Sequence, residues 1–196
     1  MDLFEMAVAK SMSGGGEKLP SRCVYFSEYD DYGLPTKCEF IGNWFRMYSG
    51  FCYEMFPYVA DNMVSSKGLL GHVRTLVINC TLIDNSAFLK CSGLYTVIIN
   101  EGCTSIGASS FDECLNLKTI IFPSTITTIG QAAFYDCSNM ETYDFSKCAQ
   151  IPSLYNGNSI KGKSGGFDIL VPNGLYMQWK NSSGWNNIGN AHFVAV

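Results

Sequence analysis

Residues 117–137, LKTIIFPSTITTIGQAAFYDC, decide the fold because they repeat the pattern of residues 94–114, LYTVIINEGCTSIGASSFDEC. At an offset of 23 residues, three columns each hold one residue type in three copies: Ile83, Ile106 and Ile129; Phe88, Phe111 and Phe134; Cys91, Cys114 and Cys137. Leu-x-x-Leu-x-Leu strand patterns precede these blocks and begin at Val73, Leu94, Leu117 and Met140. A period of about 20 to 29 residues predicts a leucine-rich-repeat solenoid, in which each coil contributes a strand and a return segment.

The path of one coil follows from its residues. Pro123 cannot donate to a ladder, so the first strand should end there, and residues 125–130 alternate polar with apolar like a second short strand. Gly130 and its counterpart one coil earlier, Gly107, are expected to supply backbone freedom at a corner. Residues 131–137 suit one helical turn, which would point Phe134 into the centre of the coil.

Residues 1–20 are expected to form an N-terminal helix and a glycine-rich joint. Phe4, Val8 and Met12 recur at helical spacing, and three consecutive glycines at 14–16 then break the pattern. We expect this segment to serve as a docking or oligomerisation arm. A frayed terminus without a role is the alternative.

Residues 21–70 are expected to cap the N-terminal end of the solenoid. Twelve of the 27 aromatic residues lie between residues 24 and 58, where the 23-residue offset finds no repeat. A solenoid end exposes an apolar face that must be covered, so packed core is the favoured interpretation. An aromatic platform for stacking sugars is the alternative.

The repeat resembles the BspA-type leucine-rich repeats of bacterial surface proteins, over about residues 71–150. The segment Ile169-Leu170-Val171-Pro172, followed by Tyr176, Trp179 and Trp185, is similar to the closing unit of such proteins, in which a strand and a short helix cover the last coil. Residues 151–196 are therefore expected to form a C-terminal cap. The resemblance implies a binding or adhesion scaffold without catalysis. The helix and glycine joint of residues 1–20 look similar to the leaders of small tail-associated proteins of phages and prophages.

Composition narrows the function classes. The 196-residue chain is 47% apolar and only 15% charged, and its net charge of −4 offers no broad cationic field for nucleic acid. No window approaches the roughly 20 apolar residues of a membrane span. Asp2 and Glu5 stand where an export signal needs positive charge, so we expect no secretory signal. Without an export signal the default compartment is reducing, where the nine cysteines, an odd number, are expected to stay free thiols.

One nucleotide-binding motif is rejected. Residues 157–164, GNSIKGKS, match the phosphate-loop pattern, which needs a preceding buried strand and a following helix whose first turn binds phosphate. Gly165 and Gly166 follow at once, and residues 167–172 have the pattern of a strand. We interpret the match as chance.

The cysteine column would place thiols about 5 Å apart on adjacent coils, within disulfide reach. A bridge is sterically possible, but cysteine is also a good small apolar filler, so buried reduced thiols are favoured.

No metal site is predicted. The sequence has no C-x-x-C pair, and His72 and His192 lie far from any cysteine at ligand spacing. Glu28, Asp30 and Asp31 form a tight acidic cluster without the spacing of a calcium loop, which favours a solvated loop.

The fold prediction is an α/β leucine-rich-repeat-like solenoid with parallel strands, short helical turns, an aromatic N-terminal cap and a C-terminal capping strand and helix. No catalytic, cofactor-binding or metal residue is expected, and the sequence does not indicate which face binds. The expected function is a non-enzymatic module of a phage or prophage virion (tail, fibre or decoration) that binds a protein partner or host surface and self-associates through residues 1–20. The alternative is a bacterial protein-binding or adhesion protein, located in the cytoplasm or at the cell surface.

Overall fold

The protein forms a solenoid of parallel strands in a computed structural model that describes residues 8–10, 23–32, 35–42, 44–47 and 73–196. Its strands in chain order are β1 (Val8–Lys10), β2 (Cys23–Tyr29), β3 (Pro35–Ile41), β4 (Trp44–Met47), β5 (Thr75–Ile78), β6 (Cys80–Ile83), β7 (Thr96–Ile99), β8 (Ser105–Ile106), β9 (Thr119–Ile121), β10 (Thr128–Ile129), β11 (Thr142–Asp144), β12 (Ser153–Leu154), β13 (Phe167–Val171) and β14 (Ala191–Ala195). A 3₁₀ turn, Asn173–Leu175, leads into helix α1, Tyr176–Asn181.

Two sheets form the walls of the solenoid. Sheet A has the strand order β1-β2-β3-β5-β7-β9-β11-β13-β14, and sheet B has the order β12-β10-β8-β6-β4. All neighbours pair in parallel except β2 and β3, which pair antiparallel. A coil runs through one strand of each sheet and returns through turns. The solenoid prediction, with its parallel strands, is confirmed.

The three phenylalanines of the repeat lie in one row inside the solenoid. The ring centroids of Phe88 and Phe111 are 5.2 Å apart, and those of Phe111 and Phe134 are 5.3 Å apart, with rings 13° and 4° from parallel. All three side chains are fully buried. The register places equivalent residues of successive coils opposite each other, for example Thr96 opposite Thr119. The predicted aromatic row is therefore confirmed.

The return segments differ from the expected helical turn. In residues 131–137, Ala132 and Asp136 have φ of 52° and 55°, which an α-helix does not allow. Only alternate amide groups bond to the neighbouring coil: the N–H groups of Phe111 and Glu113 donate to the carbonyls of Ala133 and Tyr135, at 2.8 and 3.0 Å, whereas the N–H of Tyr135 donates within its own turn to the carbonyl of Ala132, at 3.0 Å. Bonds between coils therefore alternate with three-residue turn bonds, and the segment does not form the i→i−4 ladder of an α-helix.

The two corner glycines have a different role from the one expected. Neither Gly107 nor Gly130 has a positive φ. A Cβ atom at Gly107 would lie 2.5 Å from the backbone nitrogen of Asn85, and one at Gly130 would lie 2.7 Å from that of Ala108. The glycines are therefore needed because successive coils approach too closely here for a side chain, not because the corner needs an unusual dihedral angle.

The N-terminal helix prediction is wrong for Val8–Lys10. These residues form β1, which pairs in parallel with β2, because their amides join the edge of sheet A. The rest of residues 1–20, including the glycine joint, lies outside the described residues. Within residues 21–70, β3 and β4 extend sheets A and B by one coil-like unit, although the sequence shows no repeat there. Residues 48–72 also lie outside the described residues.

The C-terminal end contains the predicted closing strand and helix, β13 and α1. The fully buried rings of Trp179 and Trp185 pack on the ring of Phe145 in the last coil, with centroids 5.0 and 5.2 Å away. Trp185 also donates from Nε1 to the carbonyl of Pro152 at 2.7 Å. The sequence did not predict β14, which continues sheet A beyond β13.

Candidate binding surface

The outer surface of sheet A carries two regular columns of side chains. Successive side chains of a strand point to opposite faces of the sheet. Residues next to a buried strand residue therefore point outward. One outward column consists of Thr75, Thr96, Thr119 and Thr142, and the next consists of Val77, Ile98 and Ile121. We call these seven residues the sheet A face. The threonines, Ile98 and Ile121 are half-buried, whereas Val77 is only 8% exposed.

The register of the strands holds the columns straight. Thr96 lies opposite Thr75 and Thr119, and Ile98 lies opposite Val77 and Ile121. Neighbouring strands are about 4.8 Å apart, so equivalent side chains contact each other along the column. β-branched side chains have few rotamers, which makes the surface rigid before any partner arrives. A rigid, partly apolar surface loses little conformational entropy on binding.

Charged groups border one side of this face, one residue before the threonine column. Arg74 lies over the ring of Tyr95, 5.1 Å from its centroid, and donates from Nη1 to the carbonyl of Gly93 at 2.8 Å. Further along, Glu141 Oε1 lies 3.7 Å from Lys118 Nζ and 3.4 Å from Lys163 Nζ. This border therefore presents both signs of charge beside the apolar column.

The columns change character towards the C-terminal end. Asp144 follows Ile121 in the register, and Leu170 and Val194 continue that row. In the threonine row, Thr142 is followed by Asp168 and His192, whose Oδ1 and Nδ1 atoms are 3.7 Å apart. The uniform part of the surface is thus limited to strands β5 to β11.

The outer surface of sheet B is different in chemistry. The hydroxyl of Thr127 donates to the carbonyl of Thr104 at 2.8 Å, and that of Thr128 donates to Ser105 Oγ at 2.9 Å. Nearby, both the N–H and the hydroxyl of Ser124 donate to the Glu101 carboxylate, which lowers the pKa of Glu101. These hydroxyls already have partners within the protein, so sheet B offers fewer open groups to a ligand.

The phosphate-loop match has none of the required geometry. No helix begins after Ser164; the chain turns and enters β13 at Phe167. Ser159 and Ile160 inside the motif are fully buried, and a Cβ atom at Gly162 would lie 2.3 Å from the ring of Phe167. The segment is a packed return of the last coil. Beside it lies an open polar depression of about 280 Å³, lined by Tyr135, Asp136, Ser138, Asn158, Lys161 and Gly162.

The cysteine column packs inward as predicted. Cys91, Cys114 and Cys137 are buried, and the thiols of Cys114 and Cys137 donate to the carbonyls of Phe88 and Phe111, at 3.3 and 3.1 Å. Burial raises the pKa of Cys137, and it raises that of Cys148 to about 12. A nucleophilic role needs an ionised thiol, so the high pKa values disfavour one for both residues at neutral pH.

Other candidate groups are dispersed. In the described part of the chain, no three His, Cys, Asp or Glu side chains lie close enough together to hold a metal ion. Glu28 pairs with Lys37 at 3.2 Å, and Asp30 accepts the N–H of Tyr32 at 3.0 Å, while Asp31 is exposed. Across the described residues, no helix is both long and apolar enough to cross a bilayer.

Sequence reasoning missed the sheet A face, although its signal is present. Thr96, Thr119 and Thr142 recur at the same 23-residue offset as the core columns, and so do Ile98 and Ile121. The core columns are easier to recognise in the sequence because their residues are large and apolar. Periodic residues between the core positions were the signal that could have indicated an ordered outer surface.

Comparison with known proteins supports the resemblance of the repeat. Residues 73–161 match the family model for a BspA type leucine rich repeat region, in six copies. Solenoids of this type suggest a protein-binding or structural module and are typically not catalytic. Neither the curated proteins nor the solved structures include a match to this chain. The similarity of residues 1–20 to phage leaders falls outside the matched region and stays a prediction.

Proposed function

We propose that the chain is a non-enzymatic binding module that presents the sheet A face to a protein partner. One observation carries this proposal: Ile98 and Ile121 are partly exposed on the outside of a regular sheet, beside the threonine column. A partner that covers these side chains gains the hydrophobic contribution of their burial, about 25 cal/mol per Å². The threonine hydroxyls beside them can satisfy polar groups of the partner.

The charged border favours a protein partner. Lys118 and Lys163 stand close to Glu141, and Arg74 lies further along the same border, over the ring of Tyr95, so the border carries both signs of charge. Protein interfaces combine an apolar centre with a polar rim of mixed charge, whereas nucleic acid needs a continuous basic surface. The net charge of −4 supports the same choice.

Site-specific photo-crosslinking tests which face binds. A photoreactive amino acid at position 119 lies on sheet A, and the same residue at position 128 lies on sheet B as a matched control. We expect one protein to be crosslinked from position 119 and not from position 128. Ile121→Lys should abolish this adduct because it places a charge in the apolar column, whereas Thr128→Lys should leave it unchanged. Equal crosslinking from both positions would contradict the proposal.

The narrower part of the proposal is a role in a phage or prophage particle. Residues 1–20 would attach the module to the particle or to further copies of itself, and the solenoid would contact a partner or the host surface. What supports it is the similarity of the leader and the glycine joint at residues 14–16. A bacterial protein-binding or cell-surface adhesion protein is the second candidate, and the BspA-type repeat favours it.

The gene neighbourhood separates these two candidates. Portal and tail genes beside the coding sequence would favour the particle, and their absence would favour the bacterial protein. The arm is tested by Phe4→Asp, which removes an apolar residue from the predicted docking segment. A smaller mass in light scattering is expected if the arm joins copies of the chain, and an unchanged mass would exclude that role.

A further inference from the structure

The last strand of sheet A exposes one backbone edge. β14 pairs with β13 along its whole length, from Phe167 opposite Ala191 to Val171 opposite Ala195. Among the described residues no strand pairs with its other side, and β14 ends the strand order of the sheet. An unpaired strand edge is a template for a further strand.

The hydrogen bonds at the ends of β14 show which groups point outward. The carbonyl of Asn190 accepts from Phe167, and Val196 both donates to Val171 and accepts from Asn173. Successive residues of a strand direct their N–H and C=O groups to opposite sides. Residues 190, 192, 194 and 196 therefore direct these groups towards β13, and residues 191, 193 and 195 direct theirs away from it. Within the described chain, the N–H and C=O groups of Phe193 and Ala195 have no backbone partner.

The C-terminal cap covers the core and leaves this edge open. Trp179 and Trp185 close the end of the solenoid against Phe145, and Trp185 bonds to the carbonyl of Pro152 beside the sheet B edge strand β12. On sheet A the last element is β14 itself. The cap therefore ends the packing of side chains without ending the ladder of sheet A.

β14 also lacks the features that normally protect an edge. Its sequence, AHFVA, has no proline, lysine or acidic residue, and it continues for five residues without a bulge. Phe193 and Val194 are half-buried, so their apolar surface is not fully covered. Natural edge strands usually carry charges, prolines or bulges that discourage pairing. An edge without them fits a strand that has a partner.

We propose that β14 pairs antiparallel with β14 of a second copy, about a two-fold axis at Phe193. In this register Phe193 lies opposite Phe193, and Ala191 lies opposite Ala195, so the outward residues become hydrogen-bonded pairs. Phe193 and Ala195 of the two chains then form about four new backbone bonds. His192 lies opposite Val194, so no like charges meet. The strand is thus complementary to itself.

The dimer would join two nine-stranded sheets edge to edge, with both sheet A faces on the same side. A partner with two epitopes could then bind both copies, which raises the overall affinity through effective concentration. The inference does not depend on the sheet A face binding a partner, because the dimer is tested on the isolated chain.

Light scattering after size-exclusion chromatography of the 196-residue chain, over a series of protein concentrations, tests this dimer. We expect twice the chain mass for Phe4→Asp, in which any association through residues 1–20 is removed, and the Ala195 variants are compared in that background. Ala195→Pro removes an outward N–H and leaves the bonds to β13 in place, so it should raise the dimer dissociation constant at least about tenfold. Ala195→Ser keeps the N–H at the same exposed position and should remain a dimer. Far-UV circular dichroism verifies that each variant is folded.

A charge pair provides a second test that does not use proline. His192→Lys with Val194→Lys puts like charges opposite each other across the axis and should give monomers. His192→Lys with Val194→Glu puts opposite charges there and should restore the dimer, with the same lysine beside Asp168 in both variants. A monomeric wild type, a dimer insensitive to both Ala195→Pro and the lysine pair, or larger head-to-tail assemblies would each overturn the proposal.

Discussion

In the middle of the solenoid three identical phenylalanines stack nearly parallel, whereas at its C-terminal end three different contacts join Phe145, Trp179 and Trp185. The interplanar angles are 13° and 4° in the row of Phe88, Phe111 and Phe134, but 47°, 88° and 68° among the rings of the cap. A repeated coil needs a side chain that fits between two copies of itself. The end needs larger rings that cover an exposed cross-section and leave no place for another coil.

Truncating the central phenylalanine should have the largest effect. Phe111 contacts a ring on each side, so Phe111→Ala leaves a cavity that neither neighbour can fill and should lower the free energy of unfolding by about 3 to 5 kcal/mol. Urea unfolding measured by circular dichroism gives the value. Phe111→Leu, which keeps most of the volume, should cost less than half as much. If Phe111→Ala and Phe111→Leu lowered the free energy of unfolding equally, the volume of the side chain between the neighbouring rings would not determine stability.

The next largest effect is expected at the coil corner. Gly130→Ala should cost about 1 to 3 kcal/mol because its Cβ would lie 2.7 Å from the backbone nitrogen of Ala108, and neither backbone can move without separating the coils. Gly165→Ala is the matched control, since a Cβ atom there meets nothing within 4 Å. Urea midpoints compare the two. A loss of stability for Gly130→Ala no larger than that for Gly165→Ala would show that adjacent coils can separate enough to accept a Cβ atom.

The middle of the molecule was predictable from sequence because each side chain there has the same environment in every coil. Repetition of Phe111 and Cys114 at a fixed offset identifies their columns without any structure. The return turns were harder, because the pattern around Ala133 also fits a helical turn, and only the bonds to the next coil decide between them. β1 and β14 were missed because a single strand at a sheet edge has no repeat to indicate it.

The candidate surface was less accessible to sequence reasoning than the fold. Outward residues such as Ile98 and Ile121 share the period of the core, but a sequence does not say which wall of a coil stays uncovered. That depends on where the caps lie. The structure places the Trp185 bond beside sheet B and leaves Ile98 and Ile121 on sheet A partly exposed.

The two cap tryptophans should respond differently to the same change. Trp185→Phe leaves the carbonyl of Pro152 without its donor, which should cost about 1 to 3 kcal/mol. Trp179→Phe removes a buried Nε1 that has no hydrogen-bond partner among the described residues, so the loss of ring volume is partly offset. Thermal unfolding of the two variants measures the difference. Equal losses would indicate that the cap is held by ring packing alone.

Substitution of Asp112 should change stability least. It tests whether every coil tolerates a polar residue at this position. It occupies the position of Leu89 and Tyr135 in the neighbouring coils, and its Oδ1 atom is buried without a hydrogen-bond partner among the described residues. Desolvation raises the pKa of Asp112 above its ordinary value of 3.8, so the folded state binds more protons than the unfolded state just above that pH. The contribution of Asp112 to the free energy of unfolding is therefore lost as the pH rises through the pKa that this residue has in the folded state.

Asp112→Asn should consequently unfold at a higher temperature than the wild type at neutral pH, and this advantage should shrink below pH 3.8. Differential scanning fluorimetry across this range measures it. Asp31→Asn removes the same charge from an exposed position and controls for the change in net charge. If Asp112→Asn and Asp31→Asn shift the unfolding temperature equally, burial of the Asp112 carboxylate does not cause the shift. An aspartate at position 112 would then cost the repeat no stability.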